Sequence, residues 1–257
     1  MYCWLAGARS LSAAVALAVA FTCSSAWANA PTSPPTLQGP EPKFLPLPNE
    51  IATGNDQVLL NEIARKLSDP DESSALPALN AALVKLREPD KLRGMVQFWR
   101  ASVLLSEDLY PEAVDAIEES IRLLPGYSGP LITAASVYAY SNQPGKAADY
   151  FLRASHLDPA TVRMVDDYEV NNIVRRLQYA GEDRRSDVIS DRLLEIGWIG
   201  NNLGSRSGLA QSAIRRRLRD GDVGGARLLV TKLLIPDHSY ALLGNKEFSV
   251  LWEDIES

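Results

Sequence analysis

The spacing of apolar side chains predicts a chain that is helical from about residue 55 to its end. Apolar residues recur at intervals of three and four, glycines and prolines fall between the segments, and no stretch alternates as a half-buried strand does. We therefore expect an all-α fold built from pairs of short antiparallel helices. The predicted helices lie near residues 55–68, 73–88, 91–107, 110–123, 129–142, 145–157, 161–180, 183–196, 207–219, 223–235 and 246–255.

The first thirty residues follow a different pattern, with a single charged side chain, Arg9, then the apolar run 11–21 and a stretch of small residues. These are the three parts of a secretory signal peptide. We predict a signal peptide over residues 1–30, cleaved after Ala28 or Ala30, and export to the periplasm or beyond with no stable membrane span. One alternative is an uncleaved anchor, although the apolar run is shorter than the ~20 residues that a bilayer requires. A lipoprotein attached at Cys23 is the other, although a bulky residue lies two positions before it.

Residues 31–49 are predicted to form a flexible, proline-rich linker. Seven of the sixteen prolines in the chain fall between residues 31 and 48. Because proline fixes φ and cannot donate a hydrogen bond, we expect an extended tether, largely in the polyproline-II conformation. The alternative is a docking site for a groove that binds proline-rich segments. The helical domain is expected over residues 50–257.

The sequence can be compared with a copy of itself shifted by the distance from Ala101 to Ala135. At this shift, small residues align with small residues and large apolar residues align with large apolar residues. We call this interval the sequence period. Small residues are needed where the helices of a pair approach closely, larger apolar residues fill the space beside them, and prolines end the second helix. Adjacent hairpins are therefore predicted to share one geometry. The matched positions are Ala101 and Ala135, Leu104 and Tyr138, Ala113 and Ala147, Ile117 and Phe151, Ser120 and Ala154, Leu123 and Leu157, and Pro125 and Pro159.

The sequence period and these residue types resemble the tetratricopeptide repeat, a unit of about 34 residues. The best-matching copies are residues 94–127 and 128–161. The resemblance implies a right-handed superhelix, or solenoid, of antiparallel helical pairs. Gln97 departs from the repeat pattern, because a large apolar residue is usual at its position. Beyond these two copies the resemblance weakens, and we expect an irregular stretch over 162–206, followed by a degenerate repeat and a closing helix over 207–257.

The resemblance also implies where a partner would bind, because the first helix of each repeat lines the concave wall in this family. In this chain that wall is neutral and apolar with a few hydroxyls. We therefore expect a protein or peptide partner that presents an apolar or aromatic segment. The alternative is that these residues pack against another helix of the same chain. The candidate residues are Met95, Phe98, Ser102, Leu105, Ile132, Ser136 and Tyr140, with Ser106, Gly129 and Ala139 beside them.

Charge and cysteine content exclude several classes of function. Both cysteines, Cys3 and Cys23, lie in the predicted signal peptide, so we expect no disulfide, thiolate nucleophile or cysteine-bearing metal site after cleavage. The net charge is −6, from 26 basic and 32 acidic side chains, and it becomes −7 when Arg9 is removed. Such a balance argues against a nucleic-acid partner.

Positive charge nevertheless gathers toward the C-terminal half of the chain. Three consecutive arginines on a helix spread over about 200°, so they cannot form one tight patch. One interpretation is a solvated face whose arginines pair with neighbouring acids, and the other is a site for an anionic partner. The candidate residues for that site are Arg215, Arg216, Arg217 and Arg219.

No arrangement typical of catalysis is apparent in the sequence. The two histidines, His156 and His238, are far apart and lack metal-ligand spacing. The acidic stretches 166–169 and 182–183 could supply a carboxylate pair, but no unassigned segment is long enough for a separate catalytic domain. We therefore expect a protein that is not an enzyme and that uses no cofactor and no metal.

Three functions fit this sequence, and the first is an exported scaffold or adaptor that binds a protein or peptide on its concave helical surface. The second is a self-assembling structural subunit of an envelope complex, which would be a homo-oligomer. The third is a non-catalytic accessory to envelope polysaccharide or peptidoglycan machinery, which would use the arginine-rich half of the chain.

Overall fold

The computed structural model describes residues 44–47, 51–52, 54–68, 75–86, 90–198 and 203–233. The predicted signal peptide, most of the predicted linker and the predicted closing helix lie outside these residues. Within them the chain forms eleven helices and no strand, which confirms the prediction of an all-α fold. The helices are α1 (Asn55–Leu67), α2 (Ala75–Lys85), α3 (Lys91–Ser106), α4 (Tyr110–Leu123), α5 (Ser128–Tyr140), α6 (Pro144–Leu157), α7 (Pro159–Val162), α8 (Asp167–Tyr179), α9 (Asp183–Glu195), α10 (Leu203–Arg219) and α11 (Val223–Leu233).

The chain divides into two compact units, Met1–Asp158 and Pro159–Ser257. Helices α1 to α6 belong to the N-terminal unit, and each packs against the next. In addition α3 packs against α5, so the first helix of one hairpin lies beside the first helix of the next. Helix α6 begins and ends one sequence period after α4, and each of the two has a proline in its first two positions. Proline suits that end of a helix, because the missing N–H would have no partner there.

The two hairpins of the N-terminal unit, α3–α4 and α5–α6, turn in the same way. Asp108 (φ 59°) and Asn142 (φ 56°) stand one sequence period apart in the left-handed conformation, which Asp and Asn tolerate better than most residues. The residue after each donates its N–H to a carbonyl five positions earlier, over 2.9 Å in both hairpins. The sequence period is therefore also a period of the backbone.

Small buried side chains let the helices of these hairpins approach closely. Ala101, Ala113, Ala135 and Ala147 are all fully buried. The larger Ile117 and Phe151 are also buried, on the second helix of each hairpin. This is the close-packed arrangement that the sequence period predicts.

The C-terminal unit repeats the same turn at a longer spacing. Gly181 (φ 74°) and Gly221 (φ 78°) join α8 to α9 and α10 to α11, with the same pattern of main-chain hydrogen bonds as the turns of the N-terminal unit. A small buried residue follows five positions later in each case, Ser186 and Ala226. Trp198 is buried, and its indole Nε1 donates to the carbonyl of Val165 over 2.7 Å.

Two predicted boundaries in the C-terminal unit are wrong. The helix predicted over 161–180 is two helices, α7 and α8, because the Asp166 carboxylate accepts the N–H of Glu169 and so starts a new helix there. The helix predicted to begin at residue 207 begins earlier, at Leu203. The stretch predicted to be irregular contains the hairpin α8–α9, and its turn at Gly181 follows the turn at Asn142 by more than one sequence period.

Candidate functional site

The candidate partner-binding residues lie on one side of α3 and one side of α5, as their spacing requires. We call this surface the α3–α5 face. Most of it is covered in this chain, because α3 is packed between α2, α4 and α5. Ser106 is half-buried, and Ala139 is fully buried. The face comprises Met95, Phe98, Ser102, Leu105, Gly129, Ile132, Ser136 and Tyr140.

An open groove lined by all the candidate residues is therefore not what the structure shows. Two of the candidates, Ile132 and Tyr140, are half-buried and reach the surface. The other candidates are buried within the unit, and they are Met95, Phe98, Ser102, Leu105 and Ser136. The physical reason is that the short spacing between helices, which the small residues permit, also encloses the side of α3 that faces its neighbours.

A segment of the predicted linker lies on the α3–α5 face. The Phe44 ring meets the Phe98 ring edge to face, with centroids 6.1 Å apart and planes at 89°. The carbonyl of Phe44 accepts the N–H of Gly129 over 2.9 Å, and Pro46 is buried. We call residues 44–47 the strap. These residues of the predicted linker therefore contact the helices through the ring and the carbonyl of Phe44.

Glycine at position 129 is what permits the strap to approach α5. A Cβ atom there would lie 2.7 Å from the Phe44 carbonyl oxygen and 3.2 Å from the ring atom Cζ. Helix α5 has no side-chain cap at its N-terminus, where main-chain N–H groups lack partners within the helix. The strap supplies one of the missing acceptors, so it binds through its backbone as well as through its ring.

The far end of the α3–α5 face is closed by a pair of tyrosines. Tyr140, at the end of α5, stacks on Tyr110, at the start of α4, with centroids 6.2 Å apart and planes at 14°. The Tyr110 hydroxyl donates to the carboxylate of Asp108 over 2.6 Å. In the middle of the face, the hydroxyl of Ser102 donates to the main-chain carbonyl of Phe98 over 3.2 Å. Ile132 is therefore the candidate residue best placed to meet an incoming partner.

A second polar cluster, which the sequence analysis missed, joins α4, α5 and α6. The hydroxyls of Tyr138 and Tyr150 both donate to Oε1 of Glu118, over 2.5 and 2.6 Å. The two rings stack with centroids 5.4 Å apart, and Lys146 and Arg153 lie over their faces. Burial and the hydrogen bond to Glu118 raise the pKa of Tyr150 to about 12, and the same causes raise the pKa of Tyr138. This cluster locks one hairpin to the next.

Because of this cluster, we expect the free energy of unfolding to fall at alkaline pH. The folded protein keeps phenolic protons that the unfolded chain releases near pH 10, so the stabilisation is complete below about pH 10 and is lost as the pH rises toward 12. We expect the urea midpoint to fall more steeply between about pH 10 and 12 in the wild type than in the double variant Tyr138→Phe/Tyr150→Phe. Parallel pH profiles for the two proteins would contradict this.

The four candidate arginines do not form one site. Arg216 is 11% exposed and pairs with Asp187 over 2.5 Å and with Asp191 over 2.9 Å. Arg217 also pairs with Asp191, over 3.3 Å, and donates to the carbonyl of Gly225 over 3.0 Å. The other two side chains are exposed, and Arg219, at 75% exposure, lies 3.8 Å from Asp220. The geometry of Arg216 and Arg217 is that of side chains that hold α9, α10 and α11 together.

Removing the Arg216 side chain is therefore expected to destabilise the C-terminal unit. Arg216→Ala leaves two partly exposed carboxylates without their shared cation, and we expect a loss of about 1 to 2 kcal/mol in the free energy of unfolding. The matched change Arg219→Ala removes an exposed pair and is expected to alter stability by less than about 0.5 kcal/mol. Urea unfolding of both variants tests this, and equal effects would contradict it.

Three of the acidic residues and histidines singled out in the sequence, Asp166, Glu182 and His156, have partners in the described part of the chain. The Asp166 carboxylate caps α8, and Glu182 pairs with Arg185 over 3.4 Å. His156 is exposed, and its Nδ1 lies 2.7 Å from the carbonyl of Leu152. His238 lies outside the described residues. In the described part of the chain no group of three or more His, Cys, Asp and Glu side chains is arranged to hold a metal ion.

The comparison with known proteins identifies no family for this chain. No protein-family model matches the chain, and no curated protein matches it significantly. Among the helices that the structure describes, none combines the length and the hydropathy that crossing a bilayer requires. The resemblance to the tetratricopeptide repeat therefore depends on the residues and backbone period given above.

Proposed function

We propose that the chain is a non-catalytic scaffold of the tetratricopeptide type, which binds an extended apolar segment of a protein partner on the α3–α5 face. The shared period of sequence and backbone, with left-handed turns at Asp108 and Asn142, supports a repeat. The packing of α3 against both α4 and α5 is the contact that a solenoid of helical pairs uses to propagate. The right-handed superhelix is part of the same proposal.

The observation that carries the proposed function is the position of the strap. A non-helical segment already rests across α3 and α5, with its aromatic ring against Phe98 and its backbone bonded to Gly129. Recognition of an extended peptide commonly combines main-chain hydrogen bonds with pockets for particular side chains. The α3–α5 face makes a main-chain hydrogen bond and an aromatic side-chain contact with the strap.

The cellular location and the absence of catalysis belong to the same proposal. The basic, apolar and small-residue stretches of the first thirty residues support export through a cleavable signal peptide. The candidate acid–base residues Asp166 and Glu182 are engaged in a helix cap and an ion pair, which supports a role other than catalysis. The exported scaffold would bind its partner in the periplasm or outside the cell.

Site-specific photocrosslinking in the cell envelope tests the proposed function. A benzoylphenylalanine at Ile132 lies on the α3–α5 face, whereas the same group at Val84 lies on an exposed part of α2. We expect a discrete protein adduct from position 132 and none from position 84, and Ile132→Glu should lower partner recovery while preserving the fold. Phe98→Glu is unsuitable as a control because a carboxylate would replace a buried ring.

The outcome of this crosslinking separates the proposed function from its alternatives. An adduct of twice the chain mass from position 132 would favour the self-assembling subunit. The same adducts from both positions, or none from position 132, would contradict a binding surface on the α3–α5 face. Mass spectrometry of the adduct identifies the partner in the first case.

A further inference from the structure

We propose that the strap, residues 44–47, is an internal ligand that occupies the partner-binding surface and must be displaced when a partner binds. The inference rests on the proposed function and deepens it, because the strap also shows the chemistry of the partner. That partner is a peptide segment with an aromatic side chain and an accessible main-chain carbonyl at the same residue.

The contacts of the strap define this ligand chemistry. The aromatic ring of Phe44 packs edge to face on Phe98, which belongs to the first hairpin. The carbonyl of the same residue accepts the N–H of Gly129, which belongs to the second hairpin. One residue therefore bridges the two hairpins, and Pro46 is buried two positions later. A partner segment with an aromatic residue and a proline at this spacing could make the same contacts.

The α3–α5 face is shaped for close approach of a backbone, not merely for an apolar side chain. A Cβ atom on residue 129 would meet the Phe44 carbonyl oxygen at 2.7 Å, a separation that requires the backbone of the strap to move. In contrast, a Cβ atom on Gly126, just before α5, would meet nothing within 4 Å. The two glycines therefore provide a matched pair of variants that separate strap docking from general effects of alanine.

The strap is only partly buried, and its covalent attachment makes it a competitor for the surface that it covers. Phe44 and Leu45 are half-buried, and Leu47 is 43% exposed. The segment belongs to a proline-rich tract, in which restricted backbone freedom lowers the entropy lost on docking. Because the strap is attached to the domain that it covers, its effective concentration reduces the apparent affinity of any segment that binds the same surface.

Binding of a peptide in trans tests the internal ligand. The probe is a fluorescein-labelled synthetic peptide of residues 38–50, followed by fluorescence anisotropy with the full chain. We expect Phe44→Ala in the full chain to bind the peptide about tenfold or more tightly than the wild type, because the surface is vacated. Adding Gly129→Ala to that variant should abolish the gain, whereas adding Gly126→Ala should preserve it. Circular dichroism of each variant checks the fold.

If Phe44→Ala does not fold, the proposal can be tested on a chain that keeps an aromatic ring at position 44. With 4-fluorophenylalanine at position 44, the ¹⁹F signal of the docked ring should move to its solvent-exposed position as unlabelled peptide is added to about 1 mM. A peptide that carries alanine at position 44 should leave the signal in place. An unmoved signal with the first peptide, or equal affinity of wild type and Phe44→Ala, would overturn the internal ligand.

The same variants show whether the internal-ligand proposal or the proposed scaffold function is wrong. If crosslinking at Ile132 captures a partner with equal yield in wild type and Phe44→Ala, the surface binds a partner and the internal ligand is wrong. If the peptide competes with the strap but crosslinking at Ile132 captures no partner, the proposed scaffold function is wrong and the strap is an internal ligand of its own fold.

Discussion

Replacing Phe151 by alanine is expected to lower the free energy of unfolding of the N-terminal unit by about 3 to 5 kcal/mol. Phe151 is 1% exposed on α6, beside the small residues Ala147 and Ala154 that bring the helices together. Because those neighbours are already alanines on a rigid helix, the cavity cannot close by small side-chain movements. Urea unfolding followed by circular dichroism measures the effect.

Two further variants show whether this effect belongs to the repeat. Ile117 stands one sequence period before Phe151 and is equally buried, so Ile117→Ala is expected to cost about 2 to 5 kcal/mol. Val84 is 78% exposed on α2, and Val84→Ala is expected to change stability by less than about 0.5 kcal/mol. A small effect at Phe151 or Ile117, similar to that at Val84, would contradict the shared core of the two hairpins.

Replacing Trp198 by alanine is expected to destabilise the C-terminal unit by about 3 to 5 kcal/mol. The ring is 1% exposed, and its Nε1 donates to the carbonyl of Val165, which lies before α8 in the sequence. Loss of this side chain opens a cavity and removes the donor for a main-chain carbonyl. Hydrogen exchange with mass spectrometry should show faster exchange in α8 and α9 of the variant.

Trp198→Phe separates the two contributions of this side chain. Phenylalanine keeps most of the buried ring but lacks the N–H donor, so we expect a loss of about 1 to 2 kcal/mol. If Trp198→Ala and Trp198→Phe destabilise the unit equally, the hydrogen bond and not the ring dominates. If neither changes the exchange of α8, the described position of Trp198 is contradicted.

The N-terminal hairpins could be predicted from the sequence because their determinants are local and periodic. Apolar spacing and prolines placed the second helices at 110–123 and 145–157, and the structure has them at Tyr110–Leu123 and Pro144–Leu157. The small residues at the helix crossings recur at one interval, so a single shift of the sequence exposes them. Backbone turns at Asp108 and Asn142 follow the same interval.

The C-terminal unit was harder to predict because its spacing changes. The interval from the turn at Asn142 to the turn at Gly181, and the next interval from Gly181 to Gly221, are both longer than the interval from Asp108 to Asn142. A comparison at the fixed sequence period therefore misses both glycine turns. The usable signal was a glycine followed five positions later by a small residue, as in Gly181 with Ser186 and Gly221 with Ala226.

The coverage of the α3–α5 face could not be predicted, because helical periodicity shows which residues share a side but not what lies against that side. Phe44 is embedded among prolines, and nothing local in that stretch indicates contact with Phe98 or Gly129. The Glu118 cluster escaped prediction for a related reason. Glu118, Tyr138 and Tyr150 belong to three different helices and meet only in the folded unit.

The central claim is that the α3–α5 face holds a peptide segment with an aromatic side chain, and an isotope-edited nuclear Overhauser spectrum of the full chain tests it most directly. We predict contacts from the ring protons of Phe44 to the α protons of Gly129 and to the ring protons of Phe98. If the helices are folded but the Phe44 ring shows neither contact, with chemical shifts like those of the free peptide of residues 38–50, the claim is contradicted.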